Sequence, residues 1–219
     1  MKKVIITAGG TSEPIDRVRS ITNQSTGSLG ASIAKAFSVG KDIKVYYVYN
    51  SVIVPEGDNI ELIKISTVDD LEEVVTELLT REKIDMFVHA MAVSDFKPVG
   101  YVEEGDWGNV KSLGGKISSS SSGDIALVMR RTKKIISIVK EISPKTMLIG
   151  FKLLVDVSRE ELVRVGKGIL EKNRCDYVVA NDLNGIYGDK HEAILIDENG
   201  VCNEMFTKTE IAETLKKLL

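Results

Sequence analysis

The sequence predicts an α/β fold: a Rossmann-like, mostly parallel sheet with helices on both faces. Three observations support this fold class. Short apolar, β-branched runs alternate with amphipathic helical segments along the chain. The runs are continuously apolar, as in strands buried on both faces. Glycine and polar residues follow several of the runs, where ligands bind in open α/β sheets. The chain has 219 residues and shows no repeat or linker, so we expect one domain over residues 1–219.

The predicted elements follow this alternation. Strands are predicted over residues 3–8, 43–49, 60–65, 84–90, 125–129, 146–151 and 177–180. Helices are predicted over residues 27–39, 68–79, 133–141, 160–171 and 207–219. Thr67 is placed as a helix N-cap, and Gly40 stands where a helix would end. A C-terminal β-hairpin, 192–196 with 201–206, is predicted across residues 197–200, whose Asn-Gly pair is a strong turn signal.

Two stretches break the pattern. Residues 11–26 are polar without a clear period, so we expect a long loop. Residues 98–123 contain several glycines, Trp107 and a serine run at 118–122. Because long loops inside compact domains commonly carry function, we expect a flexible flap at 98–123.

Composition excludes several functions. Lys and Arg total 29 against 32 Asp and Glu, a net charge of −3, so the basic excess of a nucleic-acid-binding protein is missing. No apolar run reaches membrane-spanning length, and we expect no membrane partner. Two cysteines, without metal-ligand spacing, favour a reducing cytoplasmic location. With only two histidines, we expect chemistry that works largely without His or Cys.

Four segments after predicted strands carry candidate site residues. Gly9 and Gly10 form either a tight turn or an anion-binding backbone. Residues 23–30 enter a helix, whose N-terminus suits a phosphate, although Ser25 or Thr26 could instead simply cap that helix. Asp95 could hold Mg²⁺ through one carboxylate or form an Asx-turn. Lys116 could close over a triphosphate or remain a solvated loop lysine.

These motifs together resemble a known family. Residues 6–30, ITAGGTSEPIDRVRSITNQSTGSLG, closely resemble the signature of the phosphopantothenate–cysteine ligases of coenzyme A biosynthesis. AMAVSDFKP at 90–98, GKI at 115–117, GFK at 150–152 and VVAND at 178–182 follow in the family's order. The resemblance covers essentially the whole chain. It implies a Mg²⁺-dependent ligase that joins 4′-phosphopantothenate to L-cysteine through an acyl-nucleotide, using CTP or ATP and releasing pyrophosphate.

The resemblance also implies residue roles. Catalytic roles fall to Asn23, whose amide can donate to a developing oxyanion, and to Lys116 of the flap. Asp95 is the implied metal ligand. Substrate contacts are implied for Asn23, Arg19, Ala92 and Asn181. Nucleotide contacts are implied for Gly9, Gly10, Ser25, Thr26, Gly27, Ala92, Asp95, Lys116, Lys133, Ile135, Phe151, Lys167 and Lys172.

Family members are homodimers with shared active sites, so we expect a dimer here, with 177–206 as a candidate interface. Because the ligase motif begins at the first strand, we expect a free-standing ligase without flavin.

Several alternatives stay open. The flap reads Lys-Ile-Ser-Ser at 116–119, where many bacterial members have Lys-Ile-Lys-Lys, so the choice between CTP and ATP is open. Lys167 and Lys172 are alternative nucleotide lysines. A non-catalytic NAD(P)-binding regulatory domain has the same strand and helix order, but the chain lacks G-x-G-x-x-G and an acidic residue at the end of the second strand. A ligase-like fold that has lost activity is a third hypothesis.

Overall fold

The computed structural model describes residues 1–40, 42–115, 117 and 123–219, and it confirms the α/β fold class. The described residues form the helices α1 (Ser28–Ser38), α2 (Val68–Arg81), α3 (Ile135–Ile142), α4 (Arg159–Asn173) and α5 (Lys208–Lys217). Their strands are β1 (Lys2–Gly10), β2 (Ser12–Pro14), β3 (Ser20–Thr22), β4 (Ile43–Asn50), β5 (Ile60–Lys64), β6 (Met86–Ala92), β7 (Phe96–Glu103), β8 (Lys111–Ser112), β9 (Ile125–Arg131), β10 (Met147–Leu154), β11 (Tyr177–Asp182), β12 (Ile186–Tyr187), β13 (Lys190–Asp197) and β14 (Gly200–Thr207).

The central sheet has the strand order of a doubly wound fold. Six parallel strands run in the order β5-β4-β1-β6-β10-β11. The chain builds outward from β1 to β5, then returns to β6 and builds outward on the other side. This reversal creates a switch point between β1 and β6, where open α/β sheets bind ligands. Antiparallel β13 continues the sheet beyond β11 and pairs with both β12 and β14.

Helices cover both faces of this sheet, as predicted. On one face, α1 and α5 pack together, burying Phe37 and Leu215 among strand side chains. On the other face, α2, α3 and α4 bury Leu71, Val139 and Leu170. Each helix therefore buries its apolar stripe against a sheet whose strands are apolar on both sides.

Local sequence explains several element boundaries. Thr67 is the N-cap of α2, as predicted, and forms a reciprocal capping box with Asp70. The hairpin between β13 and β14 turns across residues 197–200, as predicted, with Glu198 and Asn199 between the paired residues Asp197 and Gly200. No helix in the described ranges is long and apolar enough to cross a membrane.

The prediction of a flap over the whole of 98–123 was wrong at its start. Strand β7 pairs antiparallel with β9 and β8 in a separate three-stranded sheet. The alternating buried positions of β7 include Pro98 and Gly100. Because proline and glycine are typical of turns, the sequence did not predict this strand. Predicted strand 125–129 is confirmed, but as part of β9 in this second sheet. Lys116 and the serines at 118–122 lie outside the described residues.

The predicted loop 11–26 also contains regular structure. Residues Ser12–Pro14 and Ser20–Thr22 form the short hairpin β2–β3. Three-residue strands give too little periodicity to be recognised from sequence.

Two helical glycines make a matched stability test. A Cβ at Gly30 of α1 would overlap the Cβ of Ala8 in β1, whereas nothing lies within 4 Å of a Cβ at Gly168 of α4. We expect Gly30→Ala to lower the free energy of unfolding by about 1–3 kcal/mol through overpacking. Gly168→Ala should raise it by about 0.5–1 kcal/mol through helix propensity. Denaturant unfolding measures both, and equal effects of the two substitutions would contradict this account of α1 packing.

Candidate active site

A cleft of about 1000 Å³ lies at the carboxyl ends of the parallel strands. It is lined by the segment between β3 and α1, by residues near the ends of β6, β10 and β11, and by the starts of α1 and α3. Many of the predicted site residues line it: Asn23, Ser25, Thr26, Gly27, Ala92, Asp95, Lys133, Ile135, Phe151, Lys172 and Asn181. The fold thus brings residues from distant parts of the chain to the edge where the switch point predicts binding.

Gly9 and Gly10, the last residues of β1, are not among the residues that line the cleft. Gly9 has a φ of +88°, and a Cβ there would overlap the carbonyl oxygen of Asn50. A Cβ at Gly10 would overlap the carbonyl oxygen of Asn23. Both glycines are therefore required by close backbone packing, and the interpretation of 9–10 as a turn was wrong because both residues continue β1.

The entrance of α1 forms one wall of the cleft. Gly27, with a φ of +73°, is its N-cap residue, so the interpretation that Ser25 or Thr26 caps the helix was wrong. The Thr26 hydroxyl accepts a long 3.3 Å hydrogen bond from Ser28 N. A Cβ at Gly27 would overlap the Ser51 side chain, so glycine is needed here too. Helix-start N–H groups without a side-chain cap suit an anion.

Asn23 is held at the centre of the switch point. Its Nδ2 donates to the Ala92 carbonyl at the end of β6 at 3.1 Å, and its Oδ1 accepts from the Ser94 hydroxyl at 3.4 Å. Ser94 is itself fixed by Thr11, whose Oγ1 accepts from Ser94 N at 2.9 Å. An asparagine amide has two N–H groups, so one remains for a ligand.

Asp95 follows β6 and is ion-paired with Lys134, the residue just before α3. Asp95 is the one carboxylate lining the cleft among the described residues, and no cluster of three or more His, Cys, Asp or Glu occurs among them. A single carboxylate fits Mg²⁺ that is otherwise bound by water and phosphate oxygens. Lys133 is paired with Glu72 at 2.6 Å, and Ile135 is the first residue of α3.

The two alternative nucleotide lysines occupy different places. Lys172, near the end of α4, lines the cleft. Lys167 does not line it, and its Nζ lies beside Gly200 of the β13–β14 hairpin, 3.9 Å from where a Cβ on that glycine would be.

Arg19 lies outside the cleft lining and holds the chain next to Lys116. Its Nη2 donates to the Ile117 carbonyl at 3.1 Å, while Ile117 N donates to Asp16 Oδ2 at 3.2 Å. Arg19 also binds the Asp16 carboxylate. The guanidinium and neighbouring backbone N–H groups hold the pKa of Asp16 well below its usual range. We name this arrangement of Asp16, Arg19 and Ile117 the Ile117 clamp.

Sequence reasoning missed both histidines, which line the cleft. His89 in β6 is buried and lies 2.8 Å from the Thr7 hydroxyl through Nδ1. Burial lowers the pKa of His89 to about 4, and burial followed by the nearby Lys208 charge lowers the pKa of His191 to about 4. Both are therefore neutral at pH 7. Only His89 carried a sequence signal, as a polar residue inside a buried strand.

A doubly wound parallel sheet with a cleft at its switch point defines a Rossmann-like α/β protein. The chain belongs more specifically to the family described as DNA/pantothenate metabolism flavoprotein C-terminal domain, which matches residues 1–219.

Relatives and solved structures agree with this family. The chain is 33% identical over 216 residues to the coenzyme A biosynthesis bifunctional protein CoaBC of Thermococcus kodakarensis, covering 98% of the chain and 50% of the relative. The CoaBC of Methanocaldococcus jannaschii is 29% identical, with 97% and 49% covered. The chain thus spans about half the length of these curated relatives.

The crystal structure of the DNA/pantothenate metabolism flavoprotein from Streptococcus pneumoniae has 36% identity and a TM-score of 0.87, covering 100% of this chain and 97% of that one. A Cab2 mutant in complex with phosphopantothenate-cysteine has 17% identity and a TM-score of 0.77, covering 99% and 85%, and shares the fold.

The buried neutral His89 predicts acid-dependent stability. Its folded-state pKa of about 4 lies below the unfolded value of 6.5, so the unfolded chain binds more protons between these values. The contribution of neutral His89 is fully present above pH 6.5 and is lost as pH falls toward 4. We expect His89→Asn to reduce the slope of unfolding free energy against pH in this window, by up to about 1 kcal/mol per pH unit. Identical slopes in urea unfolding would show that His89 does not titrate on unfolding.

Proposed function

We propose that the chain is a phosphopantothenate–cysteine ligase of coenzyme A biosynthesis. The observation that carries the proposal is the convergence of separate motif segments on one cleft: Asn23 with the α1 entrance, Asp95, Phe151 and Asn181. The names of the relatives, which concern coenzyme A biosynthesis and phosphopantothenate-cysteine, support the same substrate class.

The proposed reaction has two steps. The carboxylate of 4′-phosphopantothenate attacks the α-phosphorus of CTP or ATP; a P–O bond forms and the bond to pyrophosphate breaks. The neutral amine of L-cysteine then attacks the acyl carbon of this acyl-nucleotide, the nucleoside monophosphate leaves, and the amine loses a proton. Nucleotidylation is needed because a free carboxylate has no good leaving group. Neither step requires a histidine base, so positioning and charge neutralisation supply the catalysis.

Each part of the cleft has a role in this scheme. The α1 entrance at Ser25, Thr26 and Gly27 offers N–H groups to a phosphate. The free N–H of Asn23 donates to the acyl oxygen as charge develops on it. Lys172 lies in the cleft and is favoured over Lys167 as the nucleotide lysine.

Asp95 would hold Mg²⁺ once Lys134 releases its carboxylate, and the ion would neutralise phosphate charge. Gly9, Gly10, Lys116, Lys133, Ile135 and Arg19 keep the roles that the resemblance implies.

We further propose a homodimer whose sites are shared, with 177–206 in the interface. Exposed apolar side chains in this region support the proposal, since Tyr187 is 87% exposed and Phe206 is 53% exposed. Both Cys175 and Cys202 are free thiols, which fits a cytoplasmic enzyme.

The residue at the end of β4 argues against the alternative of an NAD(P)-binding domain. An NAD site needs an acidic residue there to bind the ribose. This position is Asn50, whose Nδ2 donates to the Gly10 carbonyl at 2.7 Å and is thus used in packing.

The proposal is tested by incubating the chain with 4′-phosphopantothenate, L-cysteine and Mg²⁺, and with either CTP or ATP. We expect pyrophosphate release that requires the acyl substrate and a phosphopantothenoylcysteine product by mass spectrometry. Side-by-side rates identify the nucleotide. Absence of pyrophosphate with both nucleotides would refute the proposal, and stabilisation by NADH but not by CTP or ATP in thermal melts would favour the alternative.

Asn23→Ala tests the role of the amide. Removing a donor to a developing oxyanion is expected to lower kcat by about 10²–10³. Asn109→Ala, at an exposed asparagine outside the cleft, is the control and should leave kcat unchanged. Because Asn23 also bonds Ala92, thermal melting must show that the variant is folded. Wild-type turnover in folded Asn23→Ala would remove this residue from the mechanism.

A further inference from the structure

The two histidines differ in their hydrogen bonding although both are buried. His89 has Thr7 as a partner, 2.8 Å from its Nδ1. His191 is only 6% exposed, and neither of its ring nitrogens has a hydrogen-bond partner among the described residues. Buried polar groups in folded proteins are normally paired, so an imidazole with two unpaired nitrogens requires an explanation. A histidine that served only packing would gain stability from an apolar replacement.

The direction of β13 explains how His191 reaches the cleft. Because β13 runs antiparallel to β11, its start lies at the edge where the parallel strands end. His191, the second residue of β13, pairs with Ile186 of β12 and lines the cleft beyond Asn181. The unpaired imidazole thus belongs to the cleft wall and not to the sheet core.

A cation accompanies this histidine. Lys208, half-buried, lines the same part of the cleft, and its Nζ donates to the Gly188 carbonyl at 2.8 Å. Lys208 is the first residue of α5, where the helix dipole disfavours a positive charge. Its charge is also close enough to His191 to oppose protonation of the ring. A neutral imidazole beside an ammonium group offers complementary hydrogen bonding to an anion such as a phosphoryl group.

The His191–Lys208 pair and the α1 entrance lie at different places along the same cleft. Lys216 Nζ, near the end of α5, donates to the carbonyls of Ala36 and Val39 at the end of α1, at 2.7 and 3.2 Å, so the two packed helices run in the same direction and both begin at the cleft edge. Packed helices lie about 8–10 Å apart, so Lys208 is at about this distance or more from the α1 entrance. A phosphoryl group held by His191 and Lys208 is therefore bound by other residues than a phosphoryl group at the α1 entrance.

We propose that His191 and Lys208 form a second phosphoryl-binding subsite in the cleft, which one of the two phosphorylated substrates occupies. This inference rests on the proposed ligase function for the identity of its ligands. The phosphoryl group belongs either to the nucleotide or to the phosphomonoester of the acyl substrate.

The first test is direct binding, measured by calorimetry separately for the nucleotide and for 4′-phosphopantothenate. Loss of charge-assisted hydrogen bonds in His191→Phe and Lys208→Gln is expected to weaken one of these ligands by about 10- to 100-fold and leave the other unchanged. The weakened ligand identifies the source of the phosphoryl group. Lys190→Gln is the matched control, because Lys190 adjoins His191 but pairs with Glu192 at 2.7 Å outside the cleft.

A stability measurement separates binding from packing. We expect the ligand-free His191→Phe variant to have a melting temperature equal to or above that of the wild-type protein, since the substitution removes two unpaired buried nitrogens. A strongly lowered melting temperature combined with unchanged ligand affinity would identify His191 as structural and overturn the proposal.

NMR spectra of the two histidine side chains in the wild-type protein give a second test, which does not depend on the folding of a variant. The chain has two histidines, so His89 serves as the internal comparison. Inorganic pyrophosphate and each substrate should shift His191 more than His89. An unmoved His191 signal with every one of these ligands would overturn the subsite. A shifted His191 signal without any product formation would reject the ligase function and retain the subsite. Product formation, combined with wild-type ligand affinities in both His191→Phe and Lys208→Gln, would retain the ligase function and reject the subsite.

Discussion

The close approach of backbone segments around the carboxyl end of β1 is the constraint on which the candidate site depends. Side chains at Gly9 and Gly10 would overlap the carbonyl oxygens of Asn50 and Asn23, and a side chain at Gly30 would overlap Ala8. Without side chains there, α1 and the segment carrying Asn23 lie directly over the strand. Asn23 can then bond the end of β6, which joins both sides of the switch point in one site.

Much of this arrangement could be predicted because it is encoded locally. Apolar runs identified the parallel strands, Thr67 identified the start of α2, and the position of Asn23 and Asp95 after strands placed both at the cleft. Strand β7 could not be predicted, because its partner β9 is distant in sequence and its inward positions include Pro98 and Gly100.

His191 was missed for a topological reason. A residue near the start of a strand is expected at the edge opposite a parallel-sheet site. Only the antiparallel pairing of β13 with β11 moves His191 to the cleft edge, and strand direction is not encoded in local periodicity. The Ile117 clamp was missed for a similar reason, since Asp16 and Ile117 are about one hundred residues apart in sequence.

The charge of the cleft differs from that of the whole chain. The protein carries a net charge of −3, yet five lysines and one carboxylate line the described part of the cleft: Lys133, Lys134, Lys152, Lys172, Lys208 and Asp95. A local positive field of this kind favours polyanionic ligands without requiring a basic protein.

The neutrality of both histidines has a consequence for how this field responds to solution conditions. Because burial lowers the pKa of both rings to about 4, neither histidine adds positive charge to the cleft at pH 7. Dissolved salt screens the same field over about 8–10 Å. Ionic strength therefore sets how strongly the charged side chains that line the cleft attract anionic ligands from solution.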